Sequence, residues 1–184
     1  MRRILWVALL VSGCSQTVGT GEATAPEVSY VGRLDAQTLV ALESRDGAAV
    51  LYVCSGTKAE WLKGSADTQG AFVASGVHSV DVRFDGVSAQ ATMQEKDGST
   101  RAFALERVEA GTNAGLYAAD GAHGRTGAIV RFEGGQPAIL GSYFVGPGVV
   151  DQVTPIHPVD RRGYLGVRLG AEERELARFR LPAR

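Results

Sequence analysis

Apolar and polar residues alternate along most of this chain, and pairs of turn-forming residues interrupt the alternation. Within the segment 79–85, Val80, Val82 and Phe84 fall on one face of a strand and polar residues fall on the other. This period of two is typical of a half-buried antiparallel strand. Tight hairpins need residues that adopt positive φ. Pairs of this kind occur at Asp46-Gly47, Asp85-Gly86, Asp97-Gly98 and Asp120-Gly121. The pattern predicts an all-β fold, an antiparallel meander that forms a barrel or a two-sheet sandwich.

The alternation also places the individual strands. Strands are predicted at 28–34, 37–45, 48–55, 58–63, 71–75, 78–85, 87–96, 99–107, 114–119, 126–133, 137–145 and 163–169. The segment 171–179 has a different pattern, because Leu176 and Phe179 are three residues apart and Glu175 lies one helical turn from Arg178. This spacing predicts a short C-terminal helix.

Many of the predicted core positions hold small side chains. They are Ala41, Ala49, Ala89, Ala91, Ala102, Ala104 and Ala128. Small inward residues let two sheets pack closely, and they can also leave a ligand cavity inside a barrel. The sequence leaves both alternatives open.

Length and composition exclude several classes of protein. The chain has 184 residues, close to the size of one domain, and 45% of them are hydrophobic. Its formal net charge of −1 lacks the excess of basic residues expected of a nucleic-acid-binding protein. Two cysteines are too few for a disulfide-rich scaffold or a four-thiolate zinc site.

The first residues of the chain have the pattern of a targeting signal. Met1, Arg2 and Arg3 are followed by eight apolar residues at 4–11, too short a run to span a bilayer and the length of a signal-peptide core. The residues Val11-Ser12-Gly13-Cys14 resemble the lipobox of bacterial lipoprotein signal peptides. An ordinary secretory signal with a chance cysteine is the alternative.

The lipobox resemblance implies a domain organisation and a location. It implies that residues 1–13 are removed, that the Cys14 sulfur receives fatty acyl chains such as palmitate, and that the chain is a lipoprotein of the cell envelope. Ser15 resembles the class sorted to the outer membrane. Residues 14–27 then form a flexible tether, since they are mostly small and polar, and 28–184 form a single β-rich domain.

Three landmarks of that domain resemble those of uncharacterised β-rich secreted bacterial proteins: Tyr52-Val53-Cys54, Trp61-Leu62 with Gly64, and 114–117.

The second cysteine, Cys54, lies in a predicted buried strand. With Cys14 acylated it has no partner and behaves as a small hydrophobic residue. A Cys14–Cys54 disulfide is the alternative in an oxidising compartment.

The segment 146–163 interrupts the strand pattern and is longer than a usual connection. It combines aliphatic residues with charged ones and contains several prolines, which suits a contact with a partner. The candidate residues of this loop are Asp151, His157, Asp160 and Arg161. A connector packed over a barrel mouth is the alternative, and an Asp–His general base at His157 has no assignable nucleophile beside it.

Little else in the sequence indicates catalysis. His78, His123 and His157 do not have metal-ligand spacing, so no metal and no cofactor is predicted. The sequence therefore predicts a lipid-anchored envelope protein that is not an enzyme and that binds or scaffolds another envelope component. The alternatives are a lipocalin-like carrier of a small apolar ligand and a small hydrolase.

Overall fold

The computed structural model describes residues 27–122, 124–156 and 163–183. The regular structure in these residues is entirely β, which confirms the predicted fold class. Eight strands form a closed antiparallel barrel in which sequence neighbours pair and the first strand pairs with the eighth. They are β1 (Val28–Asp35), β2 (Thr38–Arg45), β3 (Ala48–Cys54), β4 (Ala59–Ala66), β5 (Gly70–Ala74), β6 (Ser79–Phe84), β7 (Ser88–Gln94) and β8 (Thr100–Arg107). The predicted strands coincide with these eight to within a few residues at each end.

A second sheet of seven strands follows the barrel. Its strands are β9 (Gly115–Gly121), β10 (Gly124–Glu133), β11 (Gln136–Gly146), β12 (Val149–Gln152), β13 (Thr154–Pro155), β14 (Tyr164–Leu169) and β15 (Glu172–Arg178). Their spatial order is β12-β11-β10-β9-β15-β14-β13. Only Val153 separates the two edge strands β12 and β13 along the chain, so the sheet nearly closes on itself. The prediction of an unstructured loop is therefore wrong at 149–152 and 154–155.

The predicted C-terminal helix is wrong, because its residues form β15. Gly170, with a φ of +61°, sits in a tight turn that pairs Leu169 with Glu172 and folds β15 back on β14. Leu176 then enters the interior of the second sheet, whereas Phe179 packs beside the barrel. Tertiary pairing overrides the helix propensity of Glu, Arg, Leu and Ala.

The described residues include no helix long and apolar enough to cross a membrane.

Large apolar side chains fill the barrel along its axis. Tyr30, Leu51, Met93 and Phe103 all point inward and are buried there. The Tyr30 ring also stacks on that of Phe84, with centroids 5.3 Å apart. The interior is therefore a packed core of the kind expected of a small eight-stranded barrel.

The small residues have different surroundings. Ala49, Ala89 and Ala91 lie inside the barrel among the large side chains, so they make room for those neighbours. Ala102 and Ala104 are exposed, and their assignment to the core is wrong. The inward positions of β8 belong to the alternate residues, beginning with Phe103.

The barrel and the second sheet share an apolar interface. Its buried residues are Val31, Leu39, Ala41, Tyr52, Cys54, Leu116 and Ile129. The Tyr52 hydroxyl donates a hydrogen bond to the Gly127 carbonyl oxygen across this interface, at 3.2 Å. A Cβ at Gly127 would come within 2.7 Å of Tyr52 Cζ and 2.8 Å of Trp61 Cζ2, so the close approach requires glycine. The interface fixes the second sheet against β1, β2 and β3.

Candidate functional site

Four turns meet at one end of the barrel, which we call the mouth. They span 36–37, 55–58, 75–78 and 95–99. Between them lies a cavity of about 550 Å³. Its floor includes the apolar side chains of Leu34, Val53 and Met93, which cap the barrel core.

Polar side chains enter the mouth because strand alternation continues past the last buried apolar residue of each strand. Each lies two positions from an inward-facing apolar residue: Glu60 before Leu62, His78 before Val80, Glu95 after Met93, and Arg101 before Phe103. Closure of the barrel then brings residues that are far apart in sequence to one rim. The result is a ring of charged groups above an apolar floor.

His78 lies between two carboxylates. Its Nδ1 is 2.5 Å from Glu60 Oε2, and its Nε2 is 2.7 Å from Glu95 Oε2. Ser75 Oγ donates a further hydrogen bond to Glu60. An imidazolium donates to both carboxylates, whereas a neutral imidazole has a single N–H and donates to one. The three side chains are only 16–25% exposed, so these contacts are partly shielded from water.

Arg101, on β8, extends the network from Glu95 to Asp35 at the end of β1. Its Nε donates to Glu95 Oε1 at 2.8 Å, and its Nη1 lies 3.3 Å from Asp35 Oδ2. Hydrogen bonds from the Gln37 backbone N–H and the Thr38 side chain lower the pKa of Asp35, and the charge of Arg101 adds a smaller effect. Asp35 is therefore ionised at neutral pH.

The mouth offers more hydrogen-bond acceptors than the protein itself uses. Asp35, Glu60 and Glu95 together present about twelve acceptor positions, counting four per ionised carboxyl group. The donors that reach these carboxylates come from Ser75, Gln37, Thr38, His78 and Arg101. Lys58 lines the same cavity and is exposed. The arrangement can accept hydrogen bonds from a small ligand that rests on the apolar floor.

A metal centre is not formed in the part of the chain that the structure describes. No group of three or more His, Cys, Asp or Glu side chains is placed to hold a metal ion there. His123 and His157 lie outside the described residues, so only His78 of the three histidines can be placed.

Of the four residues predicted from the long loop, the structure describes only Asp151, and Asp151 does not line the mouth. Asp151 lies exposed on β12, where its Oδ2 accepts a hydrogen bond from the Tyr143 hydroxyl at 3.2 Å. Its neighbour Gln152 contacts the mouth from outside, since a Cβ at Gly56 would meet Gln152 Nε2 at 2.6 Å. Three predicted loop residues, His157, Asp160 and Arg161, lie outside the described residues, as does Cys14.

Cys54 is a free, buried thiol at the interface between barrel and sheet. Its Sγ lies 3.2 Å from Ser142 Oγ. Burial raises the pKa of Cys54 above its ordinary value, so little of it is thiolate at neutral pH. These surroundings agree with a packing role.

Comparison with known proteins adds no family to this picture. The chain matches no protein-family model, and no curated protein and no solved structure matches it significantly.

Proposed function

We propose that this protein is a lipid-anchored binding module of the cell envelope whose mouth holds a small ligand rich in hydrogen-bond donors. The observation that carries the proposal is the convergence of Glu60, His78, Glu95 and Arg101 over one apolar floor. Partly buried charged groups that converge in a concave site are a common mark of ligand binding.

The chemistry of the mouth favours hydroxyl and ammonium groups on the ligand. Ionised carboxylates only accept hydrogen bonds, and three carboxyl groups line this cavity together with Lys58 and Arg101. The floor of Leu34, Val53 and Met93 suits the apolar face of a compact ring. Amino sugars combine both properties, whereas the carboxylate of an acidic sugar would be repelled by Asp35, Glu60 and Glu95.

The barrel supports one part of the carrier alternative. An eight-stranded barrel is present, as a lipocalin-like carrier requires. Its axis is filled by buried side chains such as Tyr30 and Phe103, so we place the ligand at the polar rim and not along an apolar interior. The hydrolase alternative depended on His157, which lies outside the described residues.

We expect glucosamine to bind the mouth and Glu60→Gln or Glu95→Gln to weaken binding at least fivefold. Each substitution removes a charge that the ligand ammonium would contact and keeps the side-chain volume. Isothermal titration calorimetry measures the affinity, with glucose expected to bind more weakly and gluconate not at all.

The matched control for this measurement is Glu172→Gln. Glu172 is an exposed carboxylate on β15 that pairs with Arg174, outside the mouth. Equal affinities in all four proteins would contradict the proposal, provided that thermal melts show each variant to be folded.

The anchor is proposed from the N-terminal sequence alone. We expect the native protein to partition into the detergent phase, and Cys14→Ala to move it to the aqueous phase or leave its precursor unprocessed. Mass spectrometry should find a chain that begins at an acylated Cys14. Two or more acyl chains on this residue would make the anchoring durable. An intact Met1 on the native protein would contradict the anchor without affecting the mouth.

A further inference from the structure

A second cavity, which we call the basal cavity, lies at the end of the barrel opposite the mouth. It has a volume of about 640 Å³ and lies between the start of β1, the β6–β7 turn, the 108–114 connector and the chain after β15. Its charged lining consists of three acids and three bases: Glu27, Glu43, Glu109, Arg107, Arg178 and Arg180. The network at the mouth does not involve these residues.

Arg178 is held in this cavity by groups that carry no negative charge. Its guanidinium lies over the Tyr117 ring, 5.5 Å from the centroid. It also fills the space beside Gly115, where a Cβ would come within 2.2 Å of Arg178 Cζ and where the φ of +132° favours glycine. Within the described residues no carboxylate lies at ion-pair distance from Arg178. The guanidinium is therefore fixed in place with its charge uncompensated by direct contact.

Glu43 is connected to Arg178 through Ser29. The Ser29 hydroxyl donates to Glu43 Oε1 at 2.6 Å, and Arg178 Nη2 lies 3.5 Å from Ser29 Oγ. Burial raises the pKa of Glu43 from 4.5 to about 7, against the smaller opposing effects of Ser29 and the nearby arginines. Near neutral pH a large fraction of Glu43 is uncharged and does not balance Arg178.

We propose that the basal cavity binds an oxyanion, the chemistry shared by sulfate, phosphate and a lipid phosphodiester, with Arg178 as its main ligand. A guanidinium can donate two parallel hydrogen bonds to such a group. Arg107 and Arg180 line the same cavity, and Arg180 pairs with Glu27 at 3.1 Å. The uncharged form of Glu43 can add a further donor.

The position of the cavity favours a lipid headgroup as the source of the oxyanion. The proposed tether, 14–27, ends at Glu27, which lines this cavity. An acylated Cys14 at the other end of this tether would place the basal cavity towards the bilayer and the mouth away from the bilayer. This orientation rests on the proposed anchor.

The test is a titration with sodium sulfate against sodium chloride at matched ionic strength, followed by the backbone amide shifts of Ser29 and Gly111. We expect saturable binding of sulfate, at least tenfold weaker in Arg178→Gln and a few-fold weaker in Arg180→Gln. Arg174→Gln is the control, because Arg174 is an exposed residue of the same strand that pairs with Glu172. Equal affinity in Arg178→Gln and Arg174→Gln, with both folded by circular dichroism, would overturn the proposal.

The pH dependence of the same titration checks the role of Glu43. The groups around Glu43 are Ser29, Glu27, Arg178, Arg180, Arg107 and Glu109. Sulfate keeps its charge between pH 5.5 and 8, so its affinity should fall as Glu43 ionises and should stay constant in Glu43→Gln. The same fall in Glu43→Gln would overturn this role.

Soluble dihexanoyl phosphatidylglycerol then distinguishes the sources. Displacement of sulfate by this lipid would support a headgroup, and failure to displace it would support a free oxyanion at the same site. Neither measurement requires acylation of Cys14, so failure of the anchor and failure of this site can be told apart.

Discussion

Replacing Tyr52 by alanine is expected to lower the free energy of unfolding by about 3–5 kcal/mol, the usual cost of removing a fully buried aromatic side chain. Tyr52 lies on β3 at the interface between barrel and second sheet and is 0% exposed. Its ring packs on Trp61 with centroids 4.4 Å apart, and its hydroxyl bonds to the Gly127 carbonyl oxygen. Removal opens a cavity in the interface and removes the hydrogen bond to the Gly127 carbonyl oxygen.

Tyr52→Phe separates the two contributions of this side chain. It keeps the ring and removes the hydrogen bond to Gly127, so we expect a loss of about 1 kcal/mol. Urea unfolding followed by circular dichroism and by Trp61 fluorescence measures both variants. A cost for Tyr52→Ala no larger than that for Tyr52→Phe would show that the ring does not join the two sheets.

The stability of the protein is expected to fall between pH 4.5 and 8 because of Glu43. Burial raises the pKa of Glu43 from 4.5 to about 7, so the native state binds more protons than the unfolded state between these values. Stability therefore decreases as pH rises, and the full penalty applies above the native pKa. At about 1.4 kcal/mol per pH unit, the loss is about 3.5 kcal/mol at most.

Glu43→Gln isolates this effect from the other titrating groups. Glutamine keeps the volume and an acceptor for the Ser29 hydroxyl, and it cannot ionise. We expect the variant to be more stable than the natural protein at pH 8 and similar to it at pH 4.5, by urea unfolding at each pH. Parallel pH curves for the two proteins would contradict the assignment of a raised pKa to Glu43.

The barrel was largely predictable from the sequence because each of its hairpins is local. The alternation of Val80, Val82 and Phe84 predicts β6 directly, and Asp46 and Gly47 both adopt the positive φ expected of their turn. The strand β15 was not predictable in the same way. Glu172–Arg178 has good helix-forming residues, and only its pairing with β14 and β9 makes it a strand.

The mouth was harder to predict because it depends on closure of the barrel. His78 lies two residues before Val80 and therefore points to the same face of the strand, and this part of the site can be inferred from the sequence. Its carboxylate partners come from β4, 18 residues before it, and from the β7–β8 turn, 17 residues after it. Extending the alternation of each strand by one step beyond its last apolar residue is the signal that would have found Glu60, Glu95 and Arg101.

The most direct test of the central claim is to locate glucosamine binding on the protein by nuclear magnetic resonance. We predict that the backbone amides of Gln37, Thr57 and Ser99, which lie in turns of the mouth, shift on titration. The amides of Gly86 and Gly111 at the basal cavity should stay unchanged. Shifts confined to the basal cavity, or scattered over the surface without saturation, would contradict a ligand site at the mouth.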